Sequence, residues 1–230
     1  MSARVGIVVF PGTNCELDVA YALEALGAEP ELVWHQDRRL SGIDAVVVPG
    51  GFAHGDFLRT GAIARFSPVM DAVSELAAAG APVVGICNGF QILTEAGLLP
   101  GVLRANASLS FVCRDVRVRV ERDDLPFTSR AAVGDELTIP VKHGEGCWFA
   151  DELLLGELEA NGQIVLRYAA GENPNGAVAD VAGVCNEAGN VLGLIPHPEH
   201  AVDPSLGSSD GAVLLGSLVD AARLSAAAFV

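Results

Sequence analysis

Residues 82–97 constrain the fold more than any other stretch. Pro82 to Ile86 is a short, continuous apolar run, the pattern of a central parallel strand covered on both faces. It leads straight into Gly85-Ile86-Cys87-Asn88-Gly89, and a helical stretch follows from Phe90 to Ala96, stopped by Gly97. A strand that reverses into a helix so tightly strains the central residue, and bulky neighbours two positions away would collide. Glycines at 85 and 89 remove that collision. The bend pushes the Cys87 side chain out at the carboxyl end of the sheet, where open α/β folds bind ligands. A thiol there meets the positive end of a helix dipole, which favours the reactive thiolate. The Asn88 N–H points to where an oxyanion would form. A buried, inert cysteine at a strand end is the plainer reading, and the flanking glycines and preceding strand weigh against it.

The rest of the first half fits such a sheet. Val5 to Phe10 reads as a buried strand, and Pro11-Gly12-Thr13-Asn14 as a turn in which Asn14 is placed to cap a helix carrying Glu16 and Asp18. Val19, Leu23 and Leu26 share one face of that helix, and Gly27 ends it. Glu31 to His35 and Ala45 to Val48 are further strands, the latter running into Pro49-Gly50-Gly51. Ser67-Pro68 opens a helix, with Ser67 as cap and Met70, Val73 and Ala77 inward, closed by Gly80. Strands alternating with helices predict right-handed crossovers and a doubly wound, mostly parallel sheet flanked by helices.

The second half changes character. Val116 to Val120 alternates with period 2, a half-exposed and antiparallel pattern. Leu137 to Val141, Ile164 to Tyr168 and Val191 to Ile195 add strands, Asn173-Pro174-Asn175-Gly176 a turn, and Ser209 to Leu224 a final helix with Leu214, Leu215 and Leu218 inward. No repeat or linker divides the chain, so a single domain over 1–230 is expected.

Composition excludes several partners. The formal net charge is −15 with only 14 Lys and Arg, so a nucleic acid or an anionic membrane would be repelled. The odd set of five cysteines (15, 87, 113, 147 and 185) contains no C-x-x-C pair, which fits a reducing compartment. No apolar run approaches the ~18 residues of a membrane span, and the N-terminus enters a strand at once. A cytoplasmic location is expected.

A cysteine nucleophile needs a base, usually histidine, held by a third group. Of histidines 35, 54, 143, 197 and 200, His197 follows the apolar strand 191–195 and sits in Pro196-His197-Pro198-Glu199. The two prolines predict extended backbone, in which Glu199, two residues on, projects on the same side and can orient the imidazole. Two other readings compete. His197, Glu199 and His200 could ligate a metal, although neither a His-x-x-x-His spacing nor a nearby Cys pair supports it; the segment could also be a plain Pro-rich turn. A second oxyanion donor is available at Gly51 or Phe52, where glycines let backbone approach a substrate closely. The loop Gly50-Gly51-Phe52-Ala53-His54-Gly55-Asp56 lacks the ending of a phosphate loop. His143 reads as a surface or substrate-side group, and His35 as structural.

At these residues the chain resembles the class I glutamine amidotransferases, and among them the glutaminase subunits of phosphoribosylformylglycinamidine synthase. The resemblance rests on Phe10 to Cys15, Gly51-Phe52 with Gly55-Asp56 and Leu58-Arg59, and Gly85 to Gln91. It continues through His143-Gly144-Glu145-Gly146, Asn173 to Gly176 and Pro196 to Glu199, all in order. It implies Cys87 as nucleophile, His197 as base and Glu199 as its orienter, with Gly51 or Phe52 and Asn88 forming the oxyanion hole and Gln91 near the substrate. It implies L-glutamine as substrate, no cofactor or metal in this chain, and ATP with magnesium in a large synthetase subunit, joined through a small bridging subunit. Two positions depart from the family: His54 stands where an aromatic such as tyrosine is usual, and His200 where arginine follows the triad glutamate. Both are expected to lie clear of the triad and to bear on partner contact. The rival readings are a cysteine peptidase or chaperone-like relative, which would place His where Asn88 stands, and a binding module with a degenerate site.

Overall fold

The computed structural model describes residues 2–228. Its apolar runs pair as parallel neighbours: β1 (Arg4–Val9) lies between β2 (Glu29–Trp34) and β3 (Ala45–Val48). β4 (Val83–Ile86) follows β3, and β11 (Val191–Leu194) follows β4. β3, β4 and β11 are buried at every residue, as strands covered on both faces must be. The sheet then continues antiparallel through β10 (Val181–Cys185), β9 (Ile164–Tyr168), β6 (Val112–Val120) and β7 (Glu136–His143). The result is one nine-stranded sheet in the order β2-β1-β3-β4-β11-β10-β9-β6-β7. A separate pair joins β5 (Val102–Arg104) to β8 (Cys147–Phe149). In β7, alternate side chains are buried, the mark of a sheet with one wet face.

Among the described residues, five helices complete the fold: α1 (Glu16–Ala25), α2 (Pro68–Ala78), α3 (Asn88–Glu95), α4 (Glu152–Ala160) and α5 (Gly211–Ala228). The chain steps from β1 outward to β2 through α1, and later from β3 in the other direction to β4 through α2. Crossovers of one hand running in opposite directions put α1 and α2 on opposite faces. The reversal at β1 and β3 opens a crevice at the carboxyl ends of the strands. There the exits of β1, β3, β4 and β11 meet.

Several local expectations are corrected. Asn14 does not cap α1: Cys15 holds that position without a side-chain bond, because the Asn14 and Cys15 N–H groups both donate to the Gly50 carbonyl. The turn is thereby tied to the β3 exit. Ser67 precedes α2 but makes no side-chain cap; its Oγ lies 3.2 Å from His35 Nδ1. α3 begins at Asn88, directly after the cysteine. Helix α4 and strands β5, β8 and β10 are additions. The Asp151 side chain caps α4 by accepting from the Leu154 N–H at 2.9 Å. No helix among the described residues is long and apolar enough to cross a membrane.

Candidate active site

The elbow works by close approach of backbones. A Cβ at Gly85 would meet the Gly89 backbone at 2.7 Å, and one at Gly89 would fall 1.8 Å from the Val48 carbonyl oxygen of β3. Only glycine lets α3 start against the sheet this tightly. Cys87 is left at φ 49°, ψ −103°, a conformation rare for a residue with a side chain and costing ~1–3 kcal/mol. It is held from both sides: its N–H donates to Leu194 of β11 at 2.8 Å, and its carbonyl accepts from Gln91 at 3.1 Å. The side chain is buried, and Sγ lies 3.9 Å from the Lys142 carbonyl.

Because β11 runs beside β4 with Leu194 opposite Ile86, the segment after β11 arrives beside Cys87. The His197 N–H donates to Pro140 of β7 at 2.8 Å, which fixes the backbone. His197 Nδ1 lies 2.6 Å from Glu199 Oε1, and both side chains are almost wholly buried. The pairing forms, but not on extended chain. Pro198–His200 is a turn of 3-10 helix, and Pro198 occupies its first position, where proline's missing N–H costs nothing. Glu199 therefore curls back onto the ring instead of reaching along a strand.

Burial works to lower the His197 pKa, yet the Glu199 carboxylate, aided by the neighbouring thiols of Cys15 and Cys87, holds it well above its usual range. Burial likewise works to raise Glu199, and the imidazolium outweighs it, leaving the carboxyl below its ordinary value. His197 Nε2 is buried with no hydrogen-bond partner among the described residues.

His200 corrects the expectation that it lies clear of the triad. Its Nε2 sits 3.5 Å from Glu199 Oε1, and its ring centre is 5.5 Å from that of His197. Lys142 Nζ approaches the same Nε2 at 2.6 Å. Burial lowers the His200 pKa; the Glu199 carboxylate opposes this, while Lys142 adds to it. His54 does stand apart, against His35 and Phe10 with ring centres 5.4 and 6.2 Å away.

In front of Cys87 lies a cavity of about 330 Å³, whose lining includes Gly51, Asp56, Gln91, His143 and Glu145. A Cβ at Gly51 would meet Asn14 N and Gly12 O at 2.8 Å. The Phe52 N–H donates to Gly12 at 2.9 Å, whereas the N–H groups of Gly51 and Asn88 have no partner among the described residues. Of the two donors considered beside Asn88, the free one is Gly51. The Asn88 side chain joins loop to elbow: Oδ1 accepts from Ala53 N at 3.0 Å, and Nδ2 donates to Gln91 Oε1 at 2.9 Å. Gln91 Nε2 in turn donates to the Glu145 carbonyl at 2.6 Å.

Sequence reasoning did not single out Asn106, which is fully buried. Its Nδ2 donates to the His143 carbonyl, and its Oδ1 accepts from Gly146 N and faces His143 Nδ1, all at 2.9–3.0 Å. That fixes the proton of His143 on Nδ1 and leaves Nε2, buried and unpartnered, as a bare lone pair. Burial, then the charge on His197, pushes the His143 pKa down to about 4, so the ring is neutral at pH 7. Asp56 is pushed up to about 6 by burial and by Glu145, against a hydrogen bond from Asn88. Nothing in the spacing of Asn106 marks it, since its partners at His143 and Gly146 are 37 to 40 positions away.

Known proteins share both the pattern and the shape. The family model of the CobB/CobQ-like glutamine amidotransferase domain matches residues 2–209. A protein of Rubrobacter xylanophilus named phosphoribosylformylglycinamidine synthase subunit PurQ is 57% identical, covering 96% of this chain and all of the relative. One of the same name from Salinibacter ruber is 50% identical over 99% of this chain and all of its own length. A chain of the solved structure of PurLQS from Thermotoga maritima superposes with a TM-score of 0.88 at 40% identity, covering 96% of this chain and 99% of that one. A glutamine amidotransferase of Thermotoga maritima shares the fold at 15% identity and a TM-score of 0.60, over 97% of both chains. With an elbow cysteine, a facing His–Glu pair and this coverage from end to end, the chain belongs to the CobB/CobQ-like glutamine amidotransferase family.

Proposed function

We propose that this chain is the glutaminase subunit of a phosphoribosylformylglycinamidine synthase, hydrolysing L-glutamine to glutamate and ammonia through Cys87, His197 and Glu199. The observation that carries the reading is the buried 2.6 Å His197–Glu199 pair at the exit of β11, beside the strand that presents Cys87. The PurQ relatives, matched over their whole length, support the same assignment.

In the cycle, the Cys87 thiol passes its proton to His197, and the thiolate attacks the side-chain amide carbon of glutamine. The carbonyl oxygen gains negative charge, and the free N–H groups of Gly51 and Asn88 receive it. As the tetrahedral intermediate collapses, His197 returns its proton to the departing nitrogen. Ammonia leaves, and a thioester remains on Cys87. Water then loses a proton to His197 and adds to the thioester carbon, and the C–S bond breaks to release glutamate. Glu199 keeps the Nδ1 proton in place and stabilises the imidazolium in both halves. Gln91, clamped between Asn88 and Glu145, lines the substrate side.

Released ammonia passes to a large synthetase subunit, which uses ATP and magnesium to convert formylglycinamide ribonucleotide to its amidine in purine biosynthesis, with a small subunit bridging the two. The chain acts as one domain over 1–230 in the cytoplasm, without a cofactor of its own. The test is Cys87→Ala in the reconstituted complex. The glutamine-dependent rate should vanish while the ammonia-dependent rate survives; loss of both, or of neither, rejects the proposal.

A further inference from the structure

We infer that the cluster of Cys15, His197, Glu199 and His200 is a binding site for a thiophilic divalent cation, with Zn2+ as its type, and that occupancy blocks glutamine hydrolysis reversibly. Cys15, His197, Glu199 and His200 each offer one ligand atom, and these atoms all lie within 4.8 Å of one another. Around a tetrahedral zinc, with bonds of about 2.0–2.3 Å, ligand atoms sit about 3.3–3.8 Å apart. The most widely spaced pair therefore needs to close by no more than about 1–1.5 Å. Three of the four residues are buried.

Two further observations point to a ligand here. Glu199 Oε2 is buried without a hydrogen-bond partner among the described residues, so one oxygen of a cluster carboxylate is left bare. His200 Nε2 is approached by Lys142 Nζ at 2.6 Å. An ammonium only donates, so the Nε2 lone pair is unprotonated and held by Lys142, and it becomes available to a cation once Lys142 moves away. A donor set of one sulfur, two imidazoles and one carboxylate suits zinc better than magnesium or calcium. Lys142 opposes the cation by its charge, and its side chain, only partly buried, must swing outward as the cation enters. The cluster escapes a spacing search because the thiol comes from the β1 exit, 182 positions before His197 (197 − 15).

A metal on this imidazole stops it from carrying the proton that Cys87 must give up. Such a cation is an inhibitor and not a resident cofactor. The inhibition rests on the proposed function; the binding does not. Co2+ added to the full chain separates the two. A thiolate-to-cobalt charge-transfer band should appear in the parent and in Cys87→Ala and be lost in Cys15→Ala. His200→Gln should weaken cobalt binding by about tenfold or more. No band in the parent, a band that follows Cys87 instead of Cys15, or unchanged affinity in His200→Gln overturns the site even if Cys15→Ala fails to fold. In the reconstituted complex, Zn2+ should depress the glutamine-dependent rate before the ammonia-dependent one. Expressed against its own metal-free rate, Cys15→Ala should need at least about ten times more zinc. Equal sensitivity in Cys15→Ala and the parent overturns the inhibition.

Discussion

Glu199 is the residue whose loss tests the electrostatics most directly. Its carboxylate is the main influence holding the His197 pKa above the ordinary range against burial. In Glu199→Gln the imidazole keeps its burial and loses its counter-charge, so kcat should fall by a factor of about 10³–10⁴, as when the orienting acid of a triad is made an amide. A loss under tenfold would mean that Glu199 does not orient the base. Asp56 offers a stability test. Its carboxyl titrates at about 6 in the folded chain against 3.8 ordinarily. A raised acid binds more protons folded than unfolded, so its contribution is present below the unfolded value and is lost as pH rises through the folded one. Asp56→Asn should thus gain denaturant resistance over the parent between about pH 4 and 6 and keep a constant gain above. A gap that shrinks with rising pH contradicts the assignment. The elbow at Cys87 and the pairing of His197 with Glu199 were legible, because glycine and proline spacing marks the backbone that presents them. Asn106, the unpartnered Nε2 of His143 and the approach of Cys15 were not, since each depends on contacts between segments far apart in the chain.

The elbow and α4 make opposite predictions for the same substitution. At Gly89 a methyl group would collide with the Val48 carbonyl at 1.8 Å, forcing α3 off β3; Gly89→Ala should cost about 3 kcal/mol or more in urea unfolding. Gly156, inside α4 with nothing within 4 Å of an added Cβ, carries only glycine's entropy penalty; Gly156→Ala should stabilise by about 0.5–1 kcal/mol. Equal effects at the two sites would refute the backbone-approach account of the elbow. The same glycine explains why α4 escaped a sequence reading. Leu153 is 81% exposed, Leu158 is buried, and Gly156 interrupts the turn between them, which blurs the 3.6-residue period. β10 was missed for another reason: Val181–Cys185 is a short apolar run around Gly183, and such a run carries no period that separates strand from helix. The long strands showed themselves through β-branched runs or alternation. Extended backbone at 197–199 was the wrong inference, because proline is as much at home at the first position of a helical turn as in a strand.

At the scale of the molecule, five strands paired in parallel and four paired antiparallel share one uninterrupted sheet. Mixed sheets are common among large sheets, and here β11 belongs to both ladders, bonded to β4 on one edge and to β10 on the other. Unfolding should therefore be a single cooperative transition in calorimetry; two resolved transitions would show that the halves melt independently. The alternation of the first half and the period-2 strands of the second made both ladders legible, but not their fusion through a late strand that slots between earlier ones.

That late strand also sets when the protein can begin to work. β11 and the turn behind it are synthesised after every other strand. Until they arrive, β4 has an open edge, the Cys87 N–H has no carbonyl to hold it, and the His197–Glu199 pair is missing from beside the sulfur. On the proposed function, a nascent or truncated chain ending short of β11 is inert, and stray glutamine is spared until the polypeptide is nearly whole.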